Sequence, residues 1–92
     1  MSTGNLISTQ SSGSKSASAL IKTGQGTVVY LFPTASSTGI VAVYDGIDAT
    51  GVNLTGSITL TAGTRVTLEF GFSTGLFINL VSGSASYWVG YV

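Results

Sequence analysis

Apolar runs of four to nine residues, most of them alternating and each bounded by Gly, Ser, Thr or Asp, follow one another from Ala19 to the carboxyl end of this 92-residue chain. A strand sends successive side chains to opposite faces and so repeats every two positions, whereas a surface helix repeats every three to four. The runs cover 19–22, 27–33, 39–45, 56–61, 64–72, 75–81 and 85–92. Turn signals about ten residues apart predict an all-β antiparallel sandwich or barrel of about seven or eight short strands. The period is clearest in 64–72, where Val66, Leu68, Phe70 and Phe72 fall on one side and Arg65, Thr67 and Glu69 on the other. Arg65 and Glu69 share the wet face but lie about 13 Å apart along a strand, too far to pair directly.

Two runs have no polar side. In 27–33, Val28, Tyr30 and Phe32 oppose Val29 and Leu31, and in 39–45, Ile40, Ala42 and Tyr44 oppose Val41 and Val43. The run 75–81 is largely of the same kind. Strands apolar on both faces are covered on both faces, and a two-layer sandwich covers only one from within. The second face is therefore expected to meet another copy or a host surface.

Composition points the same way. A chain of this length buries only about two-thirds of its unfolded surface, so its core needs support from disulfides, a metal or partners. There is no Cys and no His, which removes a disulfide framework, thiolate or imidazole zinc sites, and Cys- or His-based catalysis. Charged residues make up 7%, against about 25% in an ordinary soluble domain. Oligomerisation is the support that remains, with part of the apolar excess at an interface.

Residues 1–18 are Ser/Thr/Gly-rich and lack periodicity, which predicts a flexible arm ahead of a β-domain over 19–92. Leu6 and Ile7 interrupt the arm and could make a short edge pairing or touch a neighbour. The arm has no 7–15-residue apolar stretch of the kind a secretory signal needs, so export by that route is not expected. No run approaches the roughly 20 residues of a membrane helix, and most are too short for barrel strands of about 9–11 residues, so no membrane partner is expected.

The polar residues offer little chemistry. Asp45, Asp48 and Asn53 surround the loop 46–51 and read first as turn caps; Ca²⁺ ligation is the weaker reading. Nothing brings Glu69 near those acids to form a hydrolytic pair, and the serines have no evident base. Gly24-Gln25-Gly26 reads as a turn between strands because no helix follows to cradle a phosphate. The three cations are too few to track a nucleic-acid backbone. No enzymatic activity, cofactor, metal or nucleic acid is expected. Tyr87, Trp88 and Tyr91 in the last run fit a core and an interface, with a sugar-stacking platform as the alternative.

From Lys22 onward the chain carries Lys22-Thr23-Gly24-Gln25-Gly26, then Tyr44-Asp45-Gly46, Gly51, Ala62-Gly63, Phe72-Ser73-Thr74-Gly75-Leu76-Phe77-Ile78 and a closing aromatic run with Tyr91. In that order these resemble small all-β virion proteins of tailed bacteriophages, over about three-quarters of the chain. The resemblance implies a capsid decoration, or cement, protein: a jelly-roll-like sandwich made in the host cytoplasm that trimerises and binds the major capsid protein on the outside of the head. Residues 1–18 are the part least like that group. On this reading Val29, Leu31, Val41, Val43 and Phe77 are expected at the subunit seam, and Leu6, Ile7 and Lys15 at the capsid. The alternative is a tail- or fibre-associated module that recognises a cell-surface glycan through aromatics such as Trp88.

Overall fold

The computed structural model describes residues 10–13, 15–34 and 39–92. It is an all-β sandwich of nine antiparallel strands: β1 Gln10–Ser11, β2 Ala19–Thr23, β3 Gly26–Pro33, β4 Ile40–Asp45, β5 Val52–Asn53, β6 Ile58–Thr59, β7 Val66–Phe72, β8 Gly75–Ser82 and β9 Tyr87–Tyr91. Among the described residues there is no helix. One sheet has the order β1-β9-β3-β7 and the other β2-β8-β4-β5, with β6 also paired to β4.

The wiring has a simple rule. β1 pairs with β9, β2 with β8, β3 with β7, and β4 with both β5 and β6, so strands equally distant from the middle of the chain lie side by side. The chain is one long antiparallel ribbon whose tip is the β5–β6 region. Folding the ribbon over itself adds the β3·β9 and β4·β8 pairings, which complete the two sheets. This nested pairing is the jelly roll.

The fold-over lays β8 between β2 and β4, and the two turn motifs meet at the end of that pairing. Gly46 N–H donates to the Gly75 carbonyl at 3.0 Å. A Cβ on Gly75 would stand 2.7 Å from the Gly46 carbonyl oxygen and 3.0 Å from that of Lys22, so only glycine fits. The Asp45 carboxylate accepts N–H bonds from Thr74 (2.8 Å), Ser73 (3.0 Å) and Gly75 (3.4 Å), with the Ser73 hydroxyl as a fourth donor. These donors hold its pKa below the usual carboxylate value, Thr74 N–H contributing most. Gly46 and Gly75 are thus sites of close approach, while positive φ angles belong to other glycines such as Gly24 and Gly63.

Between the sheets Val28, Leu31, Val41, Val43, Leu76, Ile78, Tyr87 and Val89 are sealed from solvent. Burying such side chains contributes about 1.5–3 kcal/mol each relative to exposure. This corrects the expectation that Leu31, Val41 and Val43 stand at a subunit seam: all three are at 0% exposure inside a single chain. The cause in β3 is a bulge. Its register slips between Val28 and Tyr30 against both β7 and β9, so Val28 and Leu31 both enter the core while Tyr30 and Phe32 turn outward. In β4 Val41, Ala42 and Val43 are all buried, and Val41 and Val43 join the core between the sheets. The period of 64–72 is as expected: Leu68 and Phe72 are buried, Thr67 and Glu69 exposed, and Phe70 keeps 40% exposure because β7 is an edge strand.

The described part of the expected arm is hydrogen-bonded to the sandwich. Gln10 and Ser11 pair with Tyr91 and Gly90, and Lys15 exchanges two 2.8 Å backbone bonds with Tyr87. The Ser18 hydroxyl accepts from Leu80 N–H at 2.8 Å. Tyr87 anchors the segment from within, donating its hydroxyl proton to the Ala17 carbonyl at 2.6 Å. Burial pushes its pKa from 10.0 up to about 12.

That shift gives a prediction. Below pH 10 the phenol is neutral in both states and stability does not depend on its titration. From about pH 10 to 12 the unfolded chain ionises while the folded one does not, so stability falls as pH rises. Tyr87→Phe should lose about 1 kcal/mol at neutral pH with the Ala17 bond, and urea unfolding between pH 9 and 12 should show a shallower alkaline decline than in the parent protein.

Candidate functional site

The outer face of the β1-β9-β3-β7 sheet carries an aromatic groove. Phe32 on β3 sits directly opposite Trp88 on β9, and Tyr30 opposite Gly90. The Val29 bulge sets this arrangement by bringing Tyr30 and Phe32 to the outer face together. Arg65, just before β7, closes the groove from the side, with its guanidinium carbon 4.4 Å from the centre of the Tyr30 ring. Tyr30, Phe32, Arg65 and Trp88 line a shallow depression of about 270 Å³. Phe32 keeps 37% and Trp88 40% of its surface exposed, so both rings are available to a ligand.

Gly90 supports the groove floor. The position that a Cβ would occupy there lies over the face of the Tyr30 ring, against Cε2, so the ring rests flat on the β9 backbone. An aromatic ring laid over a glycine on the neighbouring strand shields backbone that lacks a side chain. Arg65 then stacks on Tyr30, a contact that contributes about 0.5–1 kcal/mol at an exposed site. Among the described residues no hydrogen bond or ion pair engages the guanidinium. Two of the three acids are committed elsewhere: Asp45 caps the β7–β8 turn, and Asp48 accepts from Thr50 N–H and its hydroxyl. The third, Glu69, is four residues further along β7.

The other sequence-derived candidates disperse. Val29 is half-buried at its bulge. Phe77 is half-buried on the outer face of the opposite sheet, level with Leu20 and Tyr44. Lys15 is bound through its backbone to Tyr87, while Leu6 and Ile7 lie outside the described residues. The oxygens of Asp45, Asp48 and Asn53 accept backbone N–H bonds, as turn caps do. Among the described residues no group of three or more His, Cys, Asp or Glu side chains is placed to hold a metal ion. The Lys22 ammonium donates to the Gln25 carbonyl at 3.0 Å, tying down the Gly24–Gly26 turn.

Trp88 was identifiable from sequence, but its partners were not. A strict period of two assigns Tyr30 and Phe32 to the same side as the buried Val28, and only the bulge separates them. The one available signal was Gly90 inside an aromatic strand, which marks a close approach without naming the ring that makes it.

No family model, no curated protein and no solved structure matches this chain. The likeness to phage virion proteins therefore rests on the turn motifs, which here form the contact between Asp45-Gly46 and Ser73-Thr74-Gly75.

Ring placement is testable by NMR. The Gly90 Hα that faces Tyr30 should resonate well upfield of a strand glycine, because it lies over an aromatic face. In Tyr30→Ala that shift should vanish, with the near-neighbour core resonances of Val89 and Tyr87 in place.

Proposed function

We propose that this chain is a structural virion protein that decorates a phage head as a homotrimer, strengthening the shell by adhesion without chemistry. The observation that carries this reading is the outer face of the β2-β8-β4 sheet. Leu20, Phe77 and Tyr44 form a continuous apolar row across three strands, and Val81 and Ile40 lie further along β8 and β4, beyond Asn79, which accepts a hydrogen bond from Ser18. Leu20 is 42% and Val81 49% exposed in the single chain. That band holds no charged side chain, so a copy laid against it leaves no ion unpaired. Such a face, in a chain with only six charged residues, suits a closed ring of copies. The seam is accordingly assigned to Leu20, Tyr44, Phe77 and Val81, with Phe77 retained from the sequence-derived set. A jelly roll serves viral shells and lectins alike and carries no function by itself.

Adhesion to the capsid is assigned to the amino-terminal residues, through Leu6 and Ile7. Because Gln10, Ser11, Ser12, Lys15, Ala17 and Ser18 are hydrogen-bonded to the sandwich, the deletion that tests this assignment is 1–9 rather than the whole of 1–18. A tail- or fibre-borne glycan module is the second reading, favoured by the exposed Trp88 and Phe32. Copy number separates the two: hundreds per particle for a head, a few to a few dozen for a tail.

Two measurements test the first reading. Light scattering should give the mass of three 9.3-kDa chains, and Val81→Glu, a change at an exposed site, should give folded monomers. An unchanged trimer would move the seam elsewhere. Deleting residues 1–9 should leave the trimer intact and abolish binding to undecorated heads; retained binding would overturn the assignment to that segment.

A further inference from the structure

We propose that the groove formed by Tyr30, Phe32, Trp88 and Arg65 is a binding site for an acidic saccharide, a pyranose carrying a carboxylate. Two independent features converge on that class. The first is the exposed, opposed pair Phe32 and Trp88, which presents flat aromatic surface at the width of two neighbouring strands. Aromatic faces of this kind take the C–H face of a sugar ring, which buries apolar area and leaves the hydroxyls in water. The second is the charge of Arg65. Its guanidinium carbon sits 4.4 Å from the centre of the Tyr30 ring, yet its N–H groups have no acceptor among the described residues. A guanidinium with its N–H groups free grips a carboxylate through two parallel N–H bonds.

Alternative occupants fit less well. A second copy could pair Arg65 only through its Glu69, since Asp45 and Asp48 are already engaged in turns, and the oligomer mass of Trp88→Ala tests that occupant. A nucleic-acid strand needs a series of phosphate contacts, and this groove has one cation. A volume of about 270 Å³ falls at the small end of ligand pockets and suits a single ring. The site lies on the sheet opposite Leu20, Tyr44, Phe77 and Val81, and the argument for it does not depend on the trimer.

The test uses the intact protein and its only tryptophan as reporter. Trigalacturonate and sialyllactose are titrated against their neutral counterparts, the methyl ester of trigalacturonate and lactose. At least one acidic probe should change Trp88 fluorescence saturably, with an affinity that falls as salt is raised and exceeds that of its neutral counterpart by about tenfold or more. Arg65→Met should abolish the preference for acid while keeping weak binding, and Trp88→Ala, followed by the NMR shift of Gly90, should abolish both. Arg65 and Trp88 are exposed, so circular dichroism of both variants should match the parent. No response to either acidic probe, an equal response to the neutral sugars, or binding unchanged in Arg65→Met would overturn the proposal. A fall in oligomer mass caused by Trp88→Ala would overturn it too, by assigning the groove to another copy.

Discussion

The meeting of Asp45-Gly46 with the β7–β8 turn is the constraint on which the rest of this molecule depends. A long antiparallel ribbon can bury its apolar face only by doubling over, which lays β8 between β2 and β4, and at Gly75 the flanking Gly46 and Lys22 carbonyls leave no room for a β-carbon. The Asp45 carboxylate holds that contact, gathering three N–H groups of the β7–β8 turn that would otherwise lack partners there. From this junction the two sheets diverge, each with one face against Leu31, Val41, Val43 and Ile78 and one face left outside.

The two outer faces differ in chemistry. On the β2-β8-β4 side Leu20, Tyr44, Phe77 and Val81 offer apolar surface beside the uncharged Ser18–Asn79 pair, as suits adhesion to a partner surface. On the β9-β3-β7 side aromatic rings surround a single cation, as suits a polar ligand with an anionic group. A domain this small has little interior to vary, and these differences between its faces are where specificity can reside.

Much of the fold was legible in sequence. The alternation over 64–72 and the Gly-bounded runs before and after it specify strands, because a half-buried strand imposes a period of two wherever one face is dry. β1 and β5, at two residues each, escape notice because two positions cannot show a period. The Ser-rich composition of 10–18 conceals an attachment made by backbone groups and by the distant Tyr87 hydroxyl, neither of which depends on the local side chains. The groove was half visible. Trp88 could be singled out, but the slipped register at Val29 reverses the faces of all that follows it in β3, so Leu31 moves from the expected seam to the core and Phe32 to the surface.

Mirror-image pairing also bears on how the molecule is made. Gln10 meets Tyr91, and β9 lies between β1 and β3, so a strand late in the sequence occupies the interior of its sheet. Until β9 is in place, β1 and β3 each present an unsatisfied edge, and the contacts that close the sandwich join residues far apart in sequence, which is the slow class of folding topology. Closure of this sheet must then wait for β9, and loss of that strand should be felt throughout the sheet rather than at its margin.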